Sequence, residues 1–244
     1  MKVIQIYMKN NLRNYNYIVY SETTKEAIFI DPLDLNITIP EAEKYGVTPK
    51  YLLNTHHHHD HIRDNQKFLN LEGTQHLKLQ NNEVFKLSET ESIKAIDTPG
   101  HVKDHQCFIL IENQKQIGII SGDAIFNAGI GNTKNGGNLD DHFESTCMLN
   151  KILTGEESLY PSHDYLLTNL RFARIIEPSN ATVLSFINKR EVQNTEEEFM
   201  NTKINDERLI NPFFRLKELK SMNEFKELSE KEIFLKIRKK RDEF

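Results

Sequence analysis

Apolar residues in the first two thirds of the chain fall in short runs separated by turn residues. Residues 3–7 (VIQIY), 17–20 (YIVY) and 27–30 (AIFI) are rich in β-branched and aromatic side chains and read as strands. Residues 21–26 form a hairpin connection between the second and third runs, and Asp31-Pro32 stops the third. Residues 40–45 are expected to be a short helix, with Pro40 at its start and Gly46 just past its end. Residues 51–53 form another strand that runs directly into Thr55. Further strands are expected at 93–96, which ends at Asp97-Thr98-Pro99-Gly100, and at 107–111 and 116–120, a hairpin around 112–115. The glycine-rich stretch 129–137 lacks the spacing of either standard phosphate cradle and reads as a mobile rim loop. After it, Asp140 or Asp141 is placed to cap a helix whose apolar positions Phe143, Cys147, Met148, Ile152 and Leu153 recur at helical spacing.

The texture changes near residues 166–170. Strand-like runs become sparse, and 191–209 and 221–244 consist mostly of helix formers. The division expected is a catalytic domain over 1–167 and a small helical, substrate-binding domain over 168–244. The chain has 244 residues, 38% apolar and 27% charged, within the range of soluble globular proteins. A net charge of -5 supplies no positive field, so neither nucleic acid nor a membrane surface is an expected partner. The N-terminus lacks a signal-peptide pattern, and no apolar run reaches the roughly 18 residues of a spanning helix. Cys107 and Cys147 form no CxxC pair and read as core or helix-face residues, which fits a reducing cytoplasm. A monomer is expected.

The chemistry concentrates in Thr55-His56-His57-His58-His59-Asp60-His61. In extended backbone His56, His58 and Asp60 share a side, while His57 and His59 face away. A turn at Asp60 returns His61 to the same region. This HxHxDH pattern feeds two adjacent metals from one loop, with imidazoles suited to zinc or iron. One segment cannot complete two sites. His101, Asp123 and His163 each follow a strand-like run, where a sheet presents residues at its rim. His76, His105 and His142 read as surface or supporting residues.

These residues resemble the signature of the metallo-β-lactamase superfamily: HxHxDH, a His after Pro-Gly, an Asp after Gly, and a final His. Within it the chain is similar to glyoxalase II nearly from end to end. His163-Asp164-Tyr165, Asn169-Leu170-Arg171-Phe172-Ala173 and Glu177-Pro178 resemble that family's GHEY, NLxFA and EP elements. Asn211-Pro212-Phe213 matches its NPF element, and residues 237–242 resemble its basic terminal helix.

The resemblance implies an α/β fold, an αββα sandwich followed by a small helical domain. It implies that His56, His58 and His101 hold one metal, that Asp60, His61 and His163 hold a second, and that Asp123 bridges both. The pair is expected to be zinc, with iron or manganese tolerated by the ligand set. The implied activity is hydrolysis of S-(2-hydroxyacyl)glutathione thioesters, S-D-lactoylglutathione above all, by a hydroxide bridging the metals and oriented by Asp60. Tyr165, Asn132, Arg238 and Arg241 are the implied contacts to the glutathione moiety. Asn132 stands where the family has Lys or Arg, and Lys134 is the nearby substitute cation. Val102 and Asp104 replace a Thr and a Gly after the third metal His, and Ser162 and Asp164 replace the Gly and Glu flanking the last one. The competing expectations are a mono-iron persulfide dioxygenase, a lactonase or nuclease on the same scaffold, and a metal-binding module without turnover.

Overall fold

A computed structural model describes residues 1–194 and 196–244. Strands β1 (Lys2–Tyr7), β2 (Tyr15–Tyr20), β3 (Glu26–Ile30), β4 (Thr48–Leu53) and β5 (Gln75–His76) form one sheet in that order. The first two pairings are antiparallel and the last two parallel. Strands β6 (Val84–Lys86), β7 (Glu91–Asp97), β8 (Gln106–Glu112) and β9 (Lys115–Gly122) form an antiparallel meander. A two-stranded hairpin follows, β10 (Ile125–Phe126) and β11 (Gly129–Ile130). Strand β12 (Ser158–Pro161) then adds in parallel to β9 at the edge of the second sheet.

The two sheets pack face to face. Val19, Ile28, Ile30 and Leu53 of the first meet Ile93, Ala95, Phe108 and Leu110 of the second. On the outer face of the first sheet, Ile18, Phe29 and Leu52 pack against α1 (Leu35–Lys44) and, after the short α2 (His59–Ile62), against Phe68 of α3 (Asn65–Leu69). On the outer face of the second sheet, Cys107, Ile109 and Ile119 pack against Leu149 of α4 (Leu139–Ile152). The layers are therefore α-β-β-α. Both faces of β2 are covered, and all six of its residues are buried.

Among the described residues, five more helices follow: α5 (Leu166–Ile176), α6 (Ala181–Glu191), α7 (Ile204–Ile210), α8 (Leu216–Leu219) and α9 (Glu230–Glu243). A cluster of Phe172, Phe213, Leu216, Leu219, Phe234 and Ile237 knits α5, α8 and α9 together and takes in Ile130 of β11. No helix of the described residues is long and apolar enough to cross a membrane.

Several local expectations are corrected. Helix α1 begins five residues before Pro40, because the Asp34 carboxylate accepts from Asn36 N and caps it there; Pro40 lies inside. The cap of α4 is Asn138, whose Oδ1 accepts from both Asp140 N and Asp141 N. Within the helix-forming stretch 191–209, α6 ends at Glu191 and α7 starts at Ile204 (Thr195 lies outside the described residues). Within 221–244 the Ser229 capping box with Glu232 starts α9. The glycine-rich stretch is no mobile loop at its start. Gly129 and Ile130 pair with β10, and Gly131 is buried beneath Asp123, where a Cβ would lie 2.1 Å from that residue's carbonyl oxygen.

Candidate metal centre

One rim of the sandwich collects the C-terminal ends of β3, β4, β7, β9 and β12 together with the N-terminal end of β2. Asp31, the HxHxDH run, His101, Asp123, His163 and Asn14 all follow or precede those ends, so they share this rim. The run itself is not extended throughout. His58 caps α2, and Asp60 and His61 lie within that helical turn. The strand alternation expected for Asp60 is replaced by a helix start that turns both residues inward.

All the expected donors converge. His56, His58 and His101 bring one nitrogen each within 4.8 Å of one another; His56, His61 and Asp123 form a second such group, and Asp60, His61 and His163 a third. His58 Nδ1 lies 3.0 Å from both His56 Nε2 and His101 Nε2. Asp123 Oδ2 lies 3.4 Å from His101 Nε2, and Asp123 Oδ1 lies 3.6 Å from His61 Nε2 and 3.3 Å from His163 Nε2. Asp60 Oδ2 lies 3.4 Å from His61 Nε2 and 3.7 Å from His163 Nε2. Tetrahedral ligands at metal–nitrogen distances near 2.0–2.1 Å are about 3.4 Å apart. The spacing fits a pair of cations with Asp123 between them. His61 Nε2 and Asp123 Oδ1 are buried without hydrogen-bond partners, as donors reserved for an ion would be.

The other nitrogen of each imidazole is tied down. His61 Nδ1 pairs with Asp31 Oδ2 at 3.0 Å, His101 Nδ1 with the Asn132 carbonyl at 2.6 Å, and His163 Nδ1 with the Leu12 carbonyl at 2.7 Å. His56 Nδ1 meets Thr55 Oγ1, and His58 Nε2 meets the Asn135 carbonyl. Such partners fix ring orientation and tautomer. Burial and then His61 hold the His56 imidazole below its ordinary range, so it is neutral and keeps a lone pair. Burial alone would lower His61, but Asp123, Asp31 and Asp60 outweigh it and raise its pKa well above the ordinary value. Burial would raise Asp123, yet His163, His61 and His101 hold its carboxyl well below the usual range. The carboxylates thus draw positive charge to this spot.

Sequence reasoning missed several supporting residues. Asp31, Asn14 and Thr55 carry no motif of their own, although each borders a strand end. His105, expected as a surface or supporting residue, is fully buried, and its Nε2 accepts from Asp123 N at 3.1 Å. Gly122 permits this approach: its φ is +53°, and a Cβ there would sit 2.6 Å from His105 Nε2. His142 is buried as well, bonded to the Ala124 carbonyl, with its pKa pushed down to about 4 by burial. His76 is exposed.

A cavity of about 230 Å³ adjoins the cluster, walled by Phe126, Asn132, Lys134, Tyr165, Arg238 and Arg241. The Tyr165 ring stacks on His163 with centroids 5.0 Å apart and planes 2° from parallel, joining cavity to cluster. Arg238 is buried and donates to the carbonyls of Ile130 and Gly131 and to Asp242. Its Nε has no partner. Arg241 donates to Asn169 Oδ1 at 3.2 Å. The Asn132 side chain accepts from Lys134 N, and Lys134 Nζ lies 3.8 Å from Asp242. A larger cavity of about 430 Å³, between α4 and the α7–α8 region, has none of the converging donors on its wall, so size does not mark the site.

Comparison with known proteins gives the chain a family. Residues 164–244 match the family described as Hydroxyacylglutathione hydrolase C-terminus, and residues 11–87 match the Metallo-beta-lactamase superfamily. The chain is 33% identical over 230 residues to a hydroxyacylglutathione hydrolase from Polaromonas sp., covering 88% of this chain and 86% of that one. It is 29% identical over 266 residues to a hydroxyacylglutathione hydrolase from Nitrosococcus oceani, covering 100% of both. Among solved structures it resembles ETHE1 from Myxococcus xanthus, with a TM-score of 0.69 and 19% identity over 98% of this chain and 90% of that chain; this likeness is one of fold.

Proposed function

Since the chain belongs to the hydroxyacylglutathione hydrolase family of the metallo-β-lactamase superfamily, we propose that its rim cluster holds two divalent cations and hydrolyses S-(2-hydroxyacyl)glutathione thioesters there. Metal-dependent thioester hydrolysis is the activity of this family. The residue roles, zinc as the cation and D-lactoyl as the acyl group are our assignments. The observation behind the residue roles is the close spacing of the donors of His56, His58, His101, Asp123, Asp60, His61 and His163.

In this reading His56, His58 and His101 hold one ion, Asp60, His61 and His163 the other, and Asp123 lies between. Bound divalent cations supply Lewis acidity, lowering the pKa of water toward about 7 and polarising a carbonyl. Burial would raise the Asp60 carboxyl, but the contacts from His61, Asn14 and His163 hold it below its ordinary range. Asp60 is therefore a carboxylate at neutral pH that accepts a hydrogen bond from the attacking water and orients it. Burial, and then Asp123, raise the Tyr165 phenol, which stays protonated as a donor to the substrate backbone. Arg241 and Lys134 on the cavity wall face the anionic end of the substrate, with the buried Arg238 behind them holding the β11 segment and Asp242. The leaving thiolate has a pKa of about 8.5 and departs without a dedicated proton donor. The helical segment 168–244 is then the substrate-binding part, and the free Cys107 and Cys147 suit a reducing cytoplasm.

The test is loss of thioester absorbance with S-D-lactoylglutathione, with metal content measured on the same sample. Turnover with about two metal ions per chain supports the reading. A fully loaded chain that leaves this thioester intact defeats it.

A further inference from the structure

The loop 8–14, which joins β1 to β2, has Lys9 at φ 50° and Arg13 at φ 56°. Neither side chain favours the left-handed region, and such strain persists where the surroundings enforce it. Here the surroundings are the second half of the metal cluster. Asp164, next to His163, accepts from both Arg13 and the fully buried Arg190, each at 2.7 Å, and its own N–H donates to the Arg13 carbonyl at 3.0 Å. Asn14 pairs with His163 in an antiparallel bridge. The Leu12 carbonyl accepts from His163 Nδ1.

Asn14 itself is 1% exposed. Its Oδ1 accepts from Asn10 Nδ2 at 2.8 Å, and its N–H donates to Asn10 Oδ1 at 2.9 Å. That pairing fixes which end of the amide faces inward. Nδ2 is left to donate to Asp60 Oδ2 at 3.0 Å, the oxygen that stands 3.4 Å from His61 Nε2 and 3.7 Å from His163 Nε2. A carboxylate without this bond is free to rotate out of the donor set. The loop thus grips Asp60 and His163, while the orienting bonds of His56, His58 and His101 come from Thr55, Asn135 and Asn132.

We infer that Asn14 is a positioning residue for Asp60, and that loop 8–14 sets the affinity of one of the two cation positions without setting the other. The inference rests on the two-cation reading above. Partners that orient metal ligands change affinity by about 10–100-fold.

The test is equilibrium dialysis of the metal-loaded protein against graded zinc–chelator buffers, with zinc per chain measured by mass spectrometry. In Asn14→Ala one equivalent should leave at about 10–100-fold higher free zinc, while the other moves less than about threefold. With cobalt(II) in place of zinc, the d–d bands weakened should be those that His163→Ala lacks. Equal loss of both equivalents, or loss of neither, overturns the inference. If Asn14→Ala does not fold, Asn10→Ala keeps the amide but frees its rotation. It should weaken the same equivalent at least about threefold, and an unmoved one overturns the inference. A wild-type chain holding fewer than two ions overturns the two-cation reading as well; a wild type holding two beside an unchanged Asn14→Ala overturns this inference alone.

Discussion

The backbone carbonyl of Asn132 accepts the Nδ1 proton of His101 at 2.6 Å, while the Asn132 side chain turns to the N–H of Lys134. The contact to the metal-facing imidazole is therefore independent of the side chain. Asn132→Lys should leave two metals bound and add a cation to the cavity wall. Exposed charge pairs contribute about 0.2–1 kcal/mol, so the KM for S-D-lactoylglutathione should fall by about 1.4- to fivefold. Metal analysis beside steady-state kinetics checks both halves; a loss of metal would mean the side chain does more than its contacts indicate.

Asp123 lies between the two donor groups and near three imidazoles. Asp123→Ala should reduce kcat/KM by about a hundred- to a thousandfold, the scale of removing a group that organises transition-state charge. His58→Ala should do the same through the first group alone. Circular dichroism should stay native in both. Near-normal turnover in a metal-analysed Asp123→Ala sample would overturn the residue assignment.

Asp31 carries the His61 ring on Oδ2, which also accepts from Thr55 Oγ1 at 2.6 Å, and its Oδ1 accepts from Thr55 N at 2.8 Å. Asp31→Asn keeps the shape but places an amide where two donors need acceptors. Zinc affinity should drop about 10–100-fold, with the larger loss at the position His61 serves. Zinc retention on dialysis measures it, and unchanged retention would show that His61 orients itself.

The convergence of the donors was legible because their chemistry is sequential: HxHxDH in one run, then a His or Asp just after each strand-like run. Strand ends in a parallel-type arrangement reach one rim, so position along the chain translated into position in space. The partners of those donors were not legible. Asn14 and Leu12 act from another loop, Leu12 and Asn132 through backbone carbonyls that no side-chain pattern reports. The short apolar runs marked the strands, while the α-β-β-α layering came from the family resemblance. Helix limits were the weakest part, because α1 and α4 start at Asp34 and Asn138, caps whose bonds depend on side-chain direction. The alternation assigned to Asp60 failed because α2 begins inside the motif.

Glu207 ties the helical part to the β10–β11 hairpin. It is fully buried, accepts from Thr202 Oγ1 at 2.6 Å, Ala128 N at 2.8 Å and Asn211 Nδ2 at 2.9 Å, and burial pushes its pKa up to about 7. A folded-state pKa above the unfolded value means the folded state binds the proton more tightly. Its stabilising contribution is complete below about pH 4.5 and is lost as pH rises through about 7. Between pH 5 and 8.5 the loss should be about 2.5 kcal/mol. Glu207→Gln should remove that slope, so wild type minus variant, read by urea unfolding of metal-loaded protein, should fall with pH by about this amount. A difference that stays flat would mean Glu207 is ionised throughout.

Arg238 and Arg241 share a helix face and a cavity, yet their surroundings separate them. Arg238 is 4% exposed, lies over the Phe213 ring, and is committed to two carbonyls of the β11 segment and to Asp242. Arg241 is half-buried and bonds only the neutral Asn169 among the hydrogen bonds of the described residues, leaving its charge for the substrate. Arg241→Ala should raise the KM for glutathione thioesters about tenfold, equivalent to about 1.4 kcal/mol, with kcat nearly unchanged. Arg238→Ala strands buried acceptors and should also lower folding stability by about 1–3 kcal/mol. Thermal unfolding beside kinetics separates the two: equal stability losses would place both guanidiniums in the scaffold, and an unchanged KM in Arg241→Ala would remove α9 from substrate binding.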